Sequence, residues 1–182
     1  MPVTTFTKAR FNGRKNYIVR EKASNSRQRC RTKSCRGPLF VPLDKTGFQE
    51  VRSVEAAGLR KRWTDGMLKD ELSHEHGFHF GARMPFGKGL CAYVLCRIFA
   101  GELHIHRLCT RPAERRKGYA AALCTQVFAA AKKKGVSKVL LEVNASNGTA
   151  VSLYRRLGFT VDAARKKYYS DGYDALLMSR VL

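Results

Sequence analysis

Acidic residues are scarce in this 182-residue chain: 14 Asp and Glu stand against 35 Lys and Arg, a formal net charge of +21. That excess is more than solubility requires and makes a polyanionic neighbour, such as RNA or a ribosome, a candidate partner. Long apolar runs are missing too. None approaches the roughly 20 residues of a membrane helix, so no membrane partner is expected, and no secretory leader is read at the start. The six cysteines, at positions 30, 35, 91, 96, 109 and 124, include no CxxC pair, which removes the zinc-ribbon spacing and leaves free thiols as the expected state. His74, His76 and His79 of HEHGFH lack a nearby fourth ligand, so a polar loop or helix end is expected of them and no metal is assigned.

What is present divides the chain. Residues 1–37 hold 11 Lys and Arg and one acid, Glu21, with few large apolar side chains. Such a segment cannot bury enough surface to offset its ordering entropy, and it reads as a disordered basic arm. Its Arg/Ser-rich make-up is also that of an organelle transit peptide, so a cytoplasmic location is expected with a mitochondrial or other organellar one as the alternative. The remaining residues, 38–182, suit one domain; 44% hydrophobic residues overall are enough for an ordinary core.

Pro38 and Pro42 bracket Leu39, where the core begins. Periodicity predicts helices over 47–59 and 67–72, the second behind the capping residues Thr64 and Asp65. Residues 77–84 and 89–99 read as a strand pair around the turn FGKG, and 101–110 as a further strand. After the loop RPAERRKG, the alanine-rich 119–134 predicts a helix ended by Gly135. VSKVLLEV is a buried strand, NASNGTAVSLYRRLG a capped helix stopped by Gly158, and 159–169 with 174–182 two strands around SDGY. The expected fold class is α/β with a mixed sheet.

These segments resemble the GNAT superfamily of N-acetyltransferases, and within it the RimI and NatA-catalytic-subunit type of protein N-terminal acetyltransferase. The resemblance rests on LCTRP, RRKGYA, LLEVNASN, SLYRRLGF and KYYSDGYDALLM, covering residues 103–182, and more loosely on Val54, Glu55, Trp63 and Thr64. It implies a central mixed, mostly antiparallel twisted sheet flanked by about four helices. It also implies acetyl-CoA as co-substrate, protein N-termini as acceptors and an auxiliary subunit as a further partner.

The loop fits the family's pyrophosphate pattern as Arg115-x-x-Gly118-x-Ala120. Gly118 lets backbone approach a ligand, and the unbonded N–H groups opening the following helix offer an anion site backed by the helix dipole. By resemblance, Leu108, Cys109 and Thr110 pair through their backbone with the pantetheine arm. Arg115, Arg116, Lys117, Gly118, Tyr119, Ala120 and Ala121 form the pyrophosphate cradle, and Asn147 contacts the cofactor from the next helix.

An α-amine with a pKa of about 7.7–8.0 must lose a proton to attack a thioester. Glu142 is the candidate base, acting through a water, since a carboxylate at the end of a buried strand has its pKa raised toward the useful range. Tyr154, at the family's general-acid position, would donate a proton to the departing thiolate or hold it by hydrogen bond. Backbone amides where strands splay would receive the oxyanion. Tyr168 and Tyr169 match the segment lining the peptide entrance, with Glu55 and the Trp63 region opposite. Expected activity is Nα-acetylation by direct transfer without an acyl-cysteine. The alternatives are acetylation of a lysine or small amine and, in another class, an RNA- or ribosome-binding module on a degenerate fold of this type.

Overall fold

The computed structural model describes residues 6–11, 14–19, 38–84 and 89–182. The arm expected at 1–37 lies outside the described residues except for the backbone of two strands, β1 (Phe6–Phe11) and β2 (Arg14–Val19), paired as an antiparallel hairpin. Most of the FGKG turn also lies outside them.

The body begins with β3 (Leu39–Leu43), a strand that the two prolines hide from a sequence reading. Helix α1 (Phe48–Gly58) and helix α2 (Asp65–Leu72) follow. The α2 start is fixed by Thr64, whose hydroxyl accepts from the Met67 amide as expected of an N-cap. Strands β4 (His79–Arg83), β5 (Leu90–Phe99) and β6 (Glu102–Thr110) form an antiparallel meander. Next come α3 (Tyr119–Lys132), β7 (Lys138–Asn144), α4 (Gly148–Arg156), β8 (Thr160–Arg165) and β9 (Ala175–Val181).

The sheet order is β1-β2-β3-β4-β5-β6-β7-β9-β8, in which β6 and β7 run parallel and the other pairs antiparallel. With four α-helices among the described residues, this is the mixed, mostly antiparallel α/β architecture that the resemblance implies. Val51, Val54, Leu68 and Leu72 of α1 and α2 pack on one face with Tyr93, Leu95 and Cys109. The other face carries α3 and α4, with Leu123, Val127, Val151 and Tyr154 against Val94, Leu103, Ile105 and Leu141.

Two local details position the site. Leu95 pairs with Arg107 while Cys96 pairs with Ile105, so His106 is an extra residue in β6, a bulge that bends the strand. The parallel β6–β7 ladder runs from Glu102↔Lys138 only to Ile105↔Leu141. Beyond it β6 stays with β5 and β7 stays with β9, so the two strands part and leave a slit in the sheet.

Candidate active site

Leu108, Cys109 and Thr110 lie on β6 beyond the last β6–β7 pair, where their backbone edge borders the slit. At the end of β6, a short 3-10 turn (Pro112–Glu114) leads into the loop at 115–118. Gly118, at φ +80°, is the N-cap of α3, and Arg116 is also left-handed at φ +61°. A non-glycine residue in that region is strained, and such strain concentrates at functional sites. The first helical bond of α3 is Ala122 N–H to the Gly118 carbonyl. The amides of residues 116–121 donate to no backbone carbonyl among the described residues, which leaves them as a row at a helix N-terminus, a nest suited to an anion.

The side chains around this row take separate tasks. Arg115 points away from it: Nε donates to the Thr110 carbonyl at 3.3 Å and Nη2 to the Gly58 carbonyl at the end of α1. Lys117 is drawn to Glu114, 2.9 Å away. Gly58 is required at this crossing, because a Cβ there would stand 2.4 Å from Cys109 Sγ and 3.2 Å from the Thr110 carbonyl. Asn147 caps α4, its Oδ1 accepting from the Ala150 amide at 3.1 Å, so a further contact to a ligand falls to its side-chain N–H donors.

Glu142 is the first β7 residue beyond the ladder. Its neighbours Leu141 and Val143 point into the α3/α4 core, and the period of a strand sends Glu142 to the opposite face. It is exposed there, with Oε1 2.8 Å from Nη1 of Arg165 on β8. The burial expected of this carboxylate is therefore not found: β7 is buried on one face only at this point.

Tyr154 lies on the other face, buried in the α3/α4 core and edge-on to Phe159 at 5.6 Å. Burial pushes its phenol pKa well above the ordinary range, so it keeps its proton. Base and acid candidates thus lie on opposite faces of the sheet.

Tyr168 and Tyr169 sit in the turn between β8 and β9, edge to face at 5.3 Å. The strand expected over 159–169 ends at Arg165, because Lys167 turns at φ +49° and Asp174 binds the Lys167 amide at 3.0 Å and the Lys166 Nζ at 2.8 Å. Tyr169 adjoins Glu142: burial first, and then the Glu142 charge, push its phenol up. Tyr168 is more exposed and lies under the Arg165 guanidinium, 5.5 Å from the ring centre.

Sequence reading passed over several of the residues that hold the two walls of this side. Lys61 reaches from the α1–α2 connection to Asp171 at 2.9 Å and Ser170 at 3.1 Å in the β8–β9 turn. Beneath it, Glu55 is 2% exposed and accepts from the Trp63 amide at 2.8 Å, from the Tyr93 hydroxyl and from Arg107. Arg107 also donates to the Lys61 carbonyl and lies over the Trp63 ring at 5.1 Å. Glu55 and Trp63 were readable as a wall; Arg107 and Tyr93 were not, since a strand Arg and Tyr look like ordinary edge residues.

Burial pushes the pKa values of the Cys109 and Cys124 thiols up to about 12 and raises those of Cys91 and Cys96. A thiol that stays protonated is a poor nucleophile. Cys30 and Cys35 lie outside the described residues. His74 and His76 occupy the turn after α2, whereas His79 is buried with Nε2 2.7 Å from the Glu71 carbonyl. Among the described residues no group of three or more His, Cys, Asp and Glu is placed to hold a metal.

Comparison with known proteins agrees with this architecture. The chain is 32% identical over 140 residues to the ribosomal protein bS18-alanine N-acetyltransferase of Escherichia coli K12, covering 75% of this chain and 93% of that one. The crystal structure of the E. coli ribosomal-protein-S18-alanine N-acetyltransferase superposes with a TM-score of 0.74 at 24% identity, over 79% of this chain and 93% of that one. Arabidopsis thaliana NAA60 in complex with acetyl-CoA superposes with a TM-score of 0.71 at 18% identity, over 80% of this chain and 98% of that one. The acetyltransferase (GNAT) family pattern matches residues 48–159. A slit between parting parallel strands, a row of unbonded amides at its mouth and that family match together make this chain an acyltransferase of the acetyltransferase (GNAT) family.

Proposed function

We propose that the protein is an acetyl-CoA-dependent Nα-acetyltransferase acting on the N-termini of polypeptides, with Glu142 as base and Tyr154 as the group that meets the leaving thiolate. The observation that supports the reading is the slit left where β6 and β7 part, with a row of unbonded amides at the start of α3 and the exposed carboxylate of Glu142 on the first β7 residue beyond the ladder. An amine acceptor has access from the Glu142 side while a thioester lies along β6, and both can be present at once. Similarity to the bS18-alanine N-acetyltransferase supports a protein N-terminus as the acceptor.

The residues suit the cofactor. Acetyl-CoA supplies a thioester carbonyl and a pyrophosphate, and the amides of 116–121 with the dipole of α3 match the pyrophosphate charge. The β6 edge at Leu108, Cys109 and Thr110 offers backbone partners to an amide-bearing arm. Glu142 orients the incoming ammonium and takes its proton through a water; Arg165 fixes the carboxylate by holding Oε1. A phenol pushed far above the pKa of a simple thiol, about 8.5, transfers a proton to a thiolate unfavourably. Tyr154 therefore stabilises the thiolate by donating a hydrogen bond. Buried, protonated cysteines support direct transfer over an acyl-cysteine route.

The reading extends to a cytoplasmic enzyme whose basic 1–37 arm adds salt-dependent affinity for ribosomal RNA; 11 Lys and Arg against one acid support that part. The test is to incubate the protein with acetyl-CoA and peptides differing at their first two residues, then locate the acetyl group by mass spectrometry. Acetyl on α-amines is expected. Acetyl only on lysine side chains or polyamines would refute the reading.

A further inference from the structure

Residues 59–64, between α1 and α2, carry Arg60, Lys61 and Arg62 in succession with no acid among them. Lys61 turns toward the β8–β9 turn, where Asp171 and Ser170 hold it. Arg60 and Arg62, one residue to either side, line instead a cleft of about 730 Å³ beside α1 and the start of α2, together with Arg52, Ser53 and Trp63. Two carboxylates also border the cleft, and both are already engaged. Asp65 pairs with Arg52 at 2.8 Å, and Glu55 is bound by Arg107. Arg60 and Arg62 are exposed and have no ion-pair partner among the described residues. After internal pairing the cleft keeps an excess of positive charge in two planar guanidinium groups.

We infer that this cleft takes an acidic segment of the acceptor polypeptide downstream of its N-terminus, so that the enzyme favours N-termini followed within a few residues by aspartate or glutamate. The inference rests on the N-terminal acceptor reading above. The 59–64 connection is a wall shared by two sides: Lys61 borders the Glu142 and Tyr169 side, and Arg60 and Arg62 border the cleft. An extended chain advances about 3.3 Å per residue, so an acceptor crossing this connection would bring residues downstream of its N-terminus beside the arginines. Guanidinium groups bind carboxylates in a two-point geometry, whereas a lysine- or arginine-rich segment would meet like charge.

The experiment uses the full chain, acetyl-CoA and three peptides with identical first residues, followed by a run of glutamates, serines or lysines. Specificity constants are measured at low and high salt, with the acetyl group located by mass spectrometry. The glutamate peptide is expected to exceed the lysine peptide by on the order of tenfold at low salt, through KM, with the gap narrowing as salt screens the charges. The double variant Arg60→Glu/Arg62→Glu should reverse the ranking, and Arg60→Lys/Arg62→Lys should keep it. Equal specificity constants for the three wild-type peptides would overturn the inference, as would an unchanged ranking in the charge-reversed protein with an unaltered thermal melt. Equal α-amine acetylation of all three peptides sinks only this inference; no α-amine acetylation of any of them sinks the N-terminal reading beneath it.

Discussion

Arg107 on β6 holds the buried carboxylate of Glu55 on α1, and the same guanidinium reaches the Lys61 carbonyl in the connection that follows α1. One ion pair thus fastens the sheet, the helix and the wall of the proposed acceptor side. Removing one partner of a buried pair strands the other charge, which costs about 3 kcal/mol or more. Glu55→Ala is expected to lower Tm by roughly 6–12 °C in a domain of this size, measured by thermal melts.

The same carboxylate sets a pH dependence. Burial acts to raise the Glu55 pKa, but hydrogen bonds from Arg107, Tyr93 and the Trp63 amide outweigh it and hold the value below the ordinary range of a glutamate. A depressed folded-state pKa gives stability that is fully present above the unfolded value, about 4.3, and is lost as pH falls through the folded value. Melting temperature should drop on acidification below about pH 4.3. The drop should be shallower in Glu55→Gln, and identical acid profiles would show that another group dominates.

Glu142→Gln keeps the size of the side chain and removes the proton acceptor. Turnover is expected to fall by about 100-fold or more with acetyl-CoA affinity nearly unchanged, because the residue lies on the proposed acceptor side of β7, where it pairs with Arg165. Steady-state kinetics and calorimetric titration separate the two effects.

In Tyr154→Phe the ring contact with Phe159 is retained and only the hydroxyl is lost. A decrease in kcat of about 10-fold to 100-fold is expected with a change in stability under about 1 kcal/mol. A large loss of stability together with full activity in the remaining folded protein would assign Tyr154 to packing alone.

Gly118→Val tests the amide row. No atom lies within 4 Å of an added Cβ, so the substitution acts through strain at φ +80° and by covering the site. Strain costs about 1–2 kcal/mol, and acetyl-CoA Kd should rise by about tenfold or more. Lys117→Ala should have a smaller effect, since that side chain is engaged by Glu114.

Much of the scaffold of the candidate site was legible because its signals are local. The alanine-rich α3, the Asn147 cap and the Gly118 loop each declare themselves within one turn of chain, and the order of the Arg115 loop, Glu142 and Tyr154 follows from the order of elements. The β3 strand was hidden by Pro38 and Pro42, and the tyrosine pair reads as strand until Lys167 turns the backbone.

The sequence by itself determined the helices and most strands of the body, the class of fold and the residues available for chemistry, since side-chain periods of 2 and 3.6 and helix caps are written along the chain. Only the tertiary structure decided which face some of them serve. The extra residue at His106 shifts the alternation of β6, so that Leu103 and Ile105 face α3 while Arg107 and Cys109 face α1. A strict two-residue alternation would have sent Arg107 to the α3 side. The bulge turns it toward Glu55, a partner 52 residues earlier in the chain, and parts β6 from β7 to open the slit.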